Sequence, residues 1–399
     1  MESEPRRSTP PWIFGLLYMP GGVYQGFLMT ALPFILRQQN VPVEKIAAIS
    51  AIASAPTIWF FLWAGIVDLG FRRQTWLIGA STVSASALFV AMLQSPATHL
   101  DAITVILTLG QVVNMLITAC CGGLMATTLT EDQRGRAGGW LQTGNLGGGA
   151  IGAGVTLYLA SHASIRIAAI ATALMVVLPS LAALWVRTTD NPTWVGTSAR
   201  FQTMAAEIRS EFRSRRLWQG FIFFLSPVGA AAGLNLLSAI AVDYSASERV
   251  VTAINGFAGG LLTAAGCLVG GYLCDRMDRR HAYLLFGAVN GLGTLVMIAG
   301  PFSPSTYVLG CTFYLFTAGI SYAAWTALAL DILGERSATA STRYTMFNAA
   351  ANAPIAYMTV LDGQGYKRFG PHGLLGVDGL SNILAASVLL LVIRKFKVA

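Results

Sequence analysis

Two short segments of the chain combine one carboxylate with a pair of arginines at the same spacing. In each segment the aspartate is followed by arginines at +4 and +5, and the two copies lie 207 residues apart, close to half of the 399-residue chain. A carboxylate beside guanidinium groups makes charge-assisted hydrogen bonds, which can form in one arrangement of helices and break in another. The spacing therefore predicts two equivalent ion-pair sites. They consist of Asp68, Arg72 and Arg73, and of Asp275, Arg279 and Arg280.

A second, looser correspondence follows later in each half of the chain. Residues 131–137 precede Gln142 and Asn145, and residues 335–340 precede Thr345 and Asn348, with an offset nearer 203. Self-similarity at a fixed offset is the signature of an internal repeat. The chain is therefore expected to contain two related halves.

The elements that position these residues are hydrophobic. Hydrophobic residues make up 54% of the chain and charged residues only 11%, against about 25% in soluble domains. The apolar runs are continuous rather than alternating, which excludes a membrane β-barrel. The net charge of +8 does not indicate nucleic acid binding, because the basic residues lie at the ends of apolar runs. The composition predicts an all-α polytopic membrane protein.

About twelve transmembrane helices are expected, arranged as two six-helix pseudo-repeats, and the last two have the least certain limits. If both termini are cytoplasmic, 20 of the 26 lysines and arginines fall on the cytoplasmic side and 6 on the other. The positive-inside rule then favours cytoplasmic N- and C-termini in a cell (inner or plasma) membrane. The predicted spans are 12–36, 46–67, 75–94, 101–129, 138–160, 164–186, 217–242, 249–274, 282–300, 304–332, 343–362 and 373–393.

Three regions follow from these limits: an N-terminal six-helix half at 1–186, a cytoplasmic linker at 187–216, and a C-terminal six-helix half at 217–399. Apolar residues from Phe201 to Phe212 recur at helical spacing, which predicts an amphipathic helix on the membrane face. The linker could also offer a docking site for a protein. Two parallel six-span halves joined by a linker are an architecture of transporters.

The repeated segments GIVDLGFRR and GYLCDRMDRR resemble the signature loop of the major facilitator superfamily. GVYQGFLMTALPFILRQQNV and IAAISAIASAPTIWFFLWAGIVDLG resemble one branch of it, that of AmpG-type muropeptide permeases and peptide–acetyl-CoA transporters, which includes some siderophore permeases. The resemblance implies the major facilitator fold, a monomer, and alternating access to one site. It also implies that the two Asp/Arg sets are conformational latches; the alternative is that these arginines only anchor the topology.

By the same resemblance, the first, fourth, seventh and tenth spans line a central substrate cavity, and their polar residues are candidate ligands. Polar residues within a membrane are expensive and commonly functional, although a polar stripe can also serve only to hydrogen-bond a neighbouring helix. The candidates are Tyr24, Gln25, Gln111, Asn114, Asn235, Tyr314, Tyr322 and Trp325.

Ionisable residues are expected at or near the span ends, and this limits the chemistry. Asp331 and Asp243 are the only candidates for proton coupling in cavity helices, and each could instead be a plain helix-end residue. No basic residue stands mid-span to receive a phosphate or several carboxylates. The lining therefore fits an uncharged or zwitterionic solute better than acetyl-CoA or a muropeptide.

No catalytic set of residues is recognisable within the spans, so no enzyme activity, metal or cofactor is expected. The five cysteines lie in apolar runs without zinc-ligand spacing and are interpreted as small apolar filler. The expected partners are a small-molecule substrate and the lipid bilayer. The favoured function is a secondary active transporter, with proton-coupled import. A drug, metabolite or siderophore carrier of the same fold is the first alternative, and a non-transporting membrane sensor is a second alternative of another class.

Overall fold

The computed structural model describes residues 9–186, 188, 206, 209, 215–255, 257–334 and 340–396. These residues form helices and loops, without a strand, and group into twelve spans in two halves of six. The predicted all-α fold with two six-helix halves is therefore confirmed. The predicted linker 187–216, with its amphipathic helix, lies outside the described residues except at 188, 206, 209, 215 and 216.

Spans one to six form the first half, and three of them consist of more than one helical segment. Their bounds are Ile13–Gly26, Phe27–Ala31 and Leu32–Gln38 (span one); Val43–Ser54, Pro56–Trp59, Phe60–Leu62 and Ala64–Asp68 (two); Arg73–Leu93 (three); Pro96–Thr128 (four); Arg134–His162 (five); Ile165–Ser180 and Leu181–Trp185 (six).

Spans seven to twelve form the second half. Their bounds are Arg215–Phe224, Ala232–Asn235 and Ala239–Ala241 (span seven); Glu248–Asn255 and Phe257–Cys274 (eight); Arg279–Ala299 (nine); Pro304–Leu333 (ten); and Ala340–Phe396 (eleven and twelve together). Among the described residues, six helices are long and apolar enough to cross a membrane by themselves. Many large apolar side chains are exposed, as expected of surfaces that contact lipid.

The ends of the spans define two faces of the bundle. Asp68 ends span two and Asp275 follows span eight, so both lie at the same end of the molecule. We call this end the latch face and the other end the opposite face. The turn between spans one and two and the turn between spans eleven and twelve lie at the opposite face.

Span seven departs from the continuous helix expected at 217–242. Its first helix ends at Phe224, just before the Ser226-Pro227 pair that predicts a kink, because proline lacks the N–H that continues a helix. Beyond it Gly229 and Ala231 have φ of 68° and 50°, in a region that glycine enters without strain. The rest of the span consists of short turns of 3₁₀ helix.

Side chains from other spans satisfy the backbone groups that this interruption frees. The hydroxyl of Tyr283 donates to the Val228 carbonyl at 2.7 Å, and the hydroxyl of Tyr357 donates to the Leu225 carbonyl at 2.9 Å. The Gly229 amide donates to Oδ1 of Asn382 at 2.8 Å. Irregular backbone at membrane depth is tolerated only with such partners. The break in span seven is therefore held by spans nine, eleven and twelve.

The boundary between spans eleven and twelve also differs from the expected one. The sequence predicts a polar interruption from Asp362 to His372, whereas the structure continues the helix and breaks it only at Phe369 and Gly370, where φ reaches −134° and 62°. Gly370 has a backbone conformation that favours glycine, and Pro371 starts the next helix. Asp362, the last residue of the predicted span 343–362, thus lies inside the helix of span eleven, seven residues before Phe369.

Close helix packing depends on glycines of span five. A Cβ at Gly144 would overlap the carbonyl oxygen of Gly15, and one at Gly152 would press on Val23, both in span one. On another side of span five, Gly139 lies against Cys267 of span eight. Small residues thus let span five approach both halves.

We predict that Gly144→Ala lowers the thermal stability of the purified protein, because the new methyl group must displace backbone. Overpacking of this kind costs about 1–3 kcal/mol. Gly79→Ala in span three is the matched control, since a Cβ there meets nothing within 4 Å. Equal melting temperatures for the two variants in detergent would contradict this account of the span one–span five contact.

Candidate functional site

Asp68 joins the two halves at the latch face. Its Oδ1 accepts hydrogen bonds from Nε and Nη2 of Arg73 at 3.0 and 2.8 Å. Its Oδ2 accepts from the backbone N–H and the hydroxyl of Thr342 at 3.2 and 3.1 Å. Thr342 lies in the first turn of span eleven, so the carboxylate also meets the positive end of that helix. Both charged side chains are buried, with exposures of 0% for Asp68 and 6% for Arg73.

Asp275 makes the equivalent connection in the reverse direction. Its Oδ1 accepts from the Gly135 amide at 2.7 Å, and its Oδ2 accepts from the amide and Nε of Arg136 at 3.0 and 2.7 Å. These residues form the first turn of span five. An aspartate of the first half therefore caps span eleven, and its counterpart in the second half caps span five.

The arginines of the second repeat take part in a wider network. Nη1 of Arg279 donates to Oδ1 of Asp331 at 2.7 Å, and Nη2 of Arg279 donates to the Glu131 carbonyl of the first half. Arg134 lies 3.7 Å from the same Asp331 oxygen. Arg280 is partly buried in the first turn of span nine.

Arg72 is the latch candidate that the structure places differently from Arg73. Its side chain is exposed, whereas the side chain of Arg73 points into the bundle and also donates to the Ser341 hydroxyl at 2.9 Å. Of the two adjacent arginines, Arg73 therefore carries the contact between the halves.

A cavity of about 600 Å³ lies between the two halves, and residues of both halves line it. This volume falls within the ~300–1,000 Å³ range of small-molecule sites. Six amide side chains from spans one, five, seven and eleven line it. They are Gln25, Gln142, Asn145, Asn235, Asn348 and Asn352.

The remaining lining combines hydroxyl groups with aromatic surface. Tyr18, Tyr283 and Tyr322 contribute phenol groups, and Phe224 and Trp325 contribute aromatic rings. The indole N–H of Trp325 is buried without a hydrogen-bond partner. In the described part of the chain, the lining contains no aspartate, glutamate, lysine, arginine or histidine. The cavity thus offers neutral donors, acceptors and stacking faces.

Four of the eight cavity candidates line this space: Gln25, Asn235, Tyr322 and Trp325. Two further candidates lie directly behind Gln25. Nε2 of Gln111 donates to Oε1 of Gln25 at 3.1 Å, and Nδ2 of Asn114 donates to Oε1 of Gln111 at 3.3 Å. Both side chains are fully buried and do not line the cavity. Their hydrogen bonds instead fix the orientation of the Gln25 side chain.

The last two cavity candidates are tyrosines that face other parts of the bundle. The Tyr24 hydroxyl donates to the Leu107 carbonyl of span four at 2.8 Å, within the first half. The Tyr314 hydroxyl donates to Oδ2 of Asp378 in span twelve at 2.8 Å. Their placement outside the cavity follows from helix rotation, since each side chain points to a neighbouring span and finds an acceptor there.

Several lining residues stand outside the four spans that the resemblance selects. Gln142 and Asn145 of span five, and Asn348 and Asn352 of span eleven, belong to the cavity. Three of them, Gln142, Asn145 and Asn348, stand in the looser internal repeat, which was therefore an available signal. Nε2 of Gln142 also donates to Thr326 of span ten at 3.0 Å, across the two halves.

The acidic residues do not all lie where the span limits place them. Asp331 is ion-paired at the latch face, and Asp243 accepts a hydrogen bond from Tyr366 at 3.0 Å near the opposite face. Asp362 and Asp378, in contrast, are buried inside helices, with exposures of 0% and 1%. The expectation that every charged residue lies at or near a span end is therefore wrong for this pair.

Two six-span halves around a central cavity, joined by duplicated carboxylate sites, form the architecture of a membrane transporter. Comparison with known families gives the same result, because residues 14–356 match the model of the Major Facilitator Superfamily. The chain belongs to this superfamily, whose members are membrane transporters rather than enzymes.

Two solved structures share the fold along nearly the whole chain. The crystal structure of the human organic anion transporter MFSD10 (TETRAN) matches with a TM-score of 0.66 and 15% identity, over 96% of this chain and 100% of that one. The proton:xylose symporter XylE, bound to 6-bromo-6-deoxy-D-glucose, matches with a TM-score of 0.67 and 14% identity, over 97% and 94%. At these identities the likeness establishes the fold alone.

We predict that Asp68→Asn weakens the closed latch far more than Arg72→Gln. Removing one partner of a buried ion pair costs about 3–5 kcal/mol, whereas exposed substitutions usually stay within about 0.5 kcal/mol. Cys120 and Cys121 are fully buried in span four, beside the Gly123–Arg73 contact. Faster maleimide labelling of these native thiols, read by mass spectrometry, is expected in Asp68→Asn only. Equal labelling rates in the two variants would contradict the assignment.

Proposed function

We propose that the protein is a secondary active transporter that moves a small uncharged or zwitterionic solute by alternating access. The observation that carries this proposal is the cavity of about 600 Å³ between the halves, with its neutral lining of amide, hydroxyl and aromatic groups. Solute would bind there while the halves rock about it. The transporter would act as a monomer in the membrane.

The latches support alternating access. Asp68 and Asp275 bind helix N-termini of the other half, and these bonds must break before the latch face can open. Charge-assisted hydrogen bonds of this kind are strong enough to favour one conformation, and water can replace them in the other. We infer that this conformation is closed at the latch face.

The lining supports a solute without net charge. A buried anion or cation needs a counter-charge, and the described lining provides none. Amide and hydroxyl groups recognise hydroxyl, amide and carbonyl groups of a ligand, and aromatic faces pack on its apolar edges. A sugar-like, peptide-like or uncharged chelating compound meets these requirements, and a phosphorylated compound does not.

The resemblance of residues 22–73 to the AmpG-type branch supports a peptide or siderophore within this class, whereas a muropeptide is anionic and lies outside it. The two matched structures are those of an organic anion transporter and a proton:xylose symporter, so the shared fold leaves the solute class open. The neutral lining is the feature that argues against a multiply charged substrate.

We also propose the direction and the orientation. The excess of lysine and arginine assigns the latch face to the cytoplasm, with both termini on that side of the cell membrane. Import coupled to protons follows from the branch resemblance. Asp331 and Asp243 remain candidate coupling sites, although the ion pair of Asp331 with Arg279 ties it to the latch.

Uptake into proteoliposomes tests the proposal. Purified protein would be reconstituted and offered a neutral disaccharide, an uncharged peptide, a muropeptide and a ferric siderophore, with and without an imposed pH gradient. Saturable uptake of one compound, stimulated by an inside-alkaline gradient, is the expected result. An uptake rate that does not change with the pH gradient would contradict proton coupling. Binding of a compound without any transport of it would favour the sensor alternative.

We predict that Gln25→Leu raises the KM for the transported compound about 5- to 150-fold, since the loss of a buried polar contact costs about 1–3 kcal/mol. The change also leaves Gln111 without its acceptor at 3.1 Å. Gln38→Leu, at the exposed end of span one, is the control and should leave uptake unchanged. An unaltered KM in Gln25→Leu would remove this residue from the binding site.

A further inference from the structure

Two buried carboxyl groups lie within electrostatic range of each other near the opposite face of the second half. Asp362 lies in span eleven two turns before the break at Phe369 and Gly370, and Asp378 lies two turns after it in span twelve. Between these positions and the break, Gly365 of span eleven and Gly373 of span twelve allow the two helix backbones to touch. The carboxyl groups are close enough for Asp378 to act electrostatically on Asp362. The hairpin therefore holds two acids together inside the protein.

Three of the four oxygens of these carboxyl groups are buried without a hydrogen-bond partner. Tyr314 donates to Oδ2 of Asp378 at 2.8 Å, while Oδ1 of Asp378 and both oxygens of Asp362 are buried without a partner. Neither acid has an ion pair with a lysine, arginine or histidine in the described part of the chain. A charged carboxylate in this setting would be desolvated and uncompensated, at a cost of several kcal/mol.

We propose that Asp362 and Asp378 form a proton-binding site, separate from the solute cavity, that couples proton movement to the conformational change. In the latch-closed conformation the pair is protonated and neutral. When the latches open, spans seven and eleven separate, water reaches the pair, and the proton leaves to the water, with a carboxylate left behind. This inference rests on the proposed transport function for its physiological role but not for the proton binding itself.

The groups that face the pair from the neighbouring spans cannot neutralise a negative charge. Span ten faces it with the phenols of Tyr314 and Tyr322, and both interact electrostatically with Asp378. Span nine packs on span twelve through Gly291 and Thr294, which cannot titrate. The remaining neighbour, span seven, faces Asp378 with the backbone N–H of Gly233, which can donate a hydrogen bond to the carboxyl group but carries no charge.

A polar stripe on span eleven connects the pair to the opposite face. Tyr366, one helical turn beyond Asp362, is exposed and donates to Asp243 of span seven at 3.0 Å. Residues four apart on a helix share one face. Asp243 and Tyr366 therefore stand at the entrance to Asp362 on the side that the proposed orientation assigns to the cell exterior.

The same stripe connects the pair to the cavity. Thr359, one turn before Asp362, lines the cavity and accepts a hydrogen bond from Asn235 of span seven at 3.0 Å. Asn235 is only two residues from Gly233, which faces Asp378. The interrupted span seven thus touches the cavity and the carboxyl pair at once, so a movement of this segment changes both.

A proton fits the site better than a metal ion. Ca²⁺ and Mg²⁺ take six or more oxygen ligands, whereas the described residues contain no group of three or more acidic, histidine or cysteine side chains placed to hold a metal ion. The carboxyl oxygens are also inaccessible in this conformation. Sodium is nevertheless included in the test as a competing outcome.

Infrared spectroscopy of the protein reconstituted in lipid tests proton binding without any solute. Wild-type protein should show the C=O stretch of a protonated carboxyl group, which disappears on titration to high pH and shifts in D₂O. Asp362→Asn and Asp378→Asn should each lose or strongly reduce this band. Asp101→Asn, at an exposed carboxylate of span four, should keep it. A wild-type film without the band, or one in which both Asn variants retain it, would overturn the proposal.

Distance measurements test the link to conformation. Spin labels at Gln39 and Ser247, both exposed at the opposite face, report its opening. Raising the pH between about 5 and 9, a range that covers carboxyl groups in apolar surroundings, should shorten this distance in the wild type. In Asp362→Asn and Asp378→Asn, whose side chains stay neutral, the distance should remain long at every pH. Variants that follow the wild-type shift would overturn the coupling, and a shift driven by Na⁺ at constant pH would identify a sodium site instead.

Transport assays separate this proposal from the proposed function. Once a transported compound is found, Asp362→Asn should abolish gradient-driven accumulation of it but preserve its exchange across the membrane. Tyr314→Phe, which keeps both acids and removes only the phenol that donates to Asp378, should shift the pH profile without abolishing accumulation. Loss of exchange in every variant, or full accumulation in Asp362→Asn, would remove the pair from coupling. The infrared result would stand whether or not any compound is transported.

Discussion

The carboxylate of Asp68 binds a backbone amide that lies 274 residues away in the chain, and the rest of the architecture depends on this kind of contact. A membrane helix has four unsatisfied amides at its N-terminus, and a buried carboxylate needs donors. An aspartate of one half therefore accepts from amides at the N-terminus of a helix in the other half, once at span eleven and once at span five. Since a helix N-terminus is a fixed partner, the two contacts define one relative position of the halves. That position places the cavity between them.

The fold and the equivalent positions of Asp68 and Asp275 were predictable from sequence because both leave patterns that do not depend on rotation about helix axes. Apolar runs give the number of spans, and the duplicated aspartate and arginines mark equivalent turns. Choosing between neighbouring arginines was not possible in this way. Arg72 and Arg73 have the same chemistry, and only Arg73 turns inward to meet Asp68 and Ser341. Such a choice depends on the helical phase at the start of span three.

Helical phase also limits how much of the cavity could be predicted. Gln25 and Asn235 face it, but Tyr24 and Tyr314 point to other spans, and no periodic pattern in a uniformly apolar helix reveals which side of it faces the cavity. The side-chain amides of spans five and eleven were not predicted as cavity residues, because the resemblance selects the first, fourth, seventh and tenth spans. Asp378 was not predicted as a buried acid, because the break between spans eleven and twelve was expected earlier, from Asp362 onward, and this placed every acid at or near a span end.

The break in span seven provides a structural link between the cavity and the buried pair Asp362 and Asp378. A continuous helix would satisfy its backbone hydrogen bonds internally and would move as a rigid body. Here the segment after Phe224 depends on Tyr283, Tyr357 and Asn382 for its hydrogen bonds, so its position is set by spans nine, eleven and twelve. Asn382 also donates to the Asp378 carbonyl. A change at that turn of span twelve therefore reaches the backbone of Gly229, which lines the cavity.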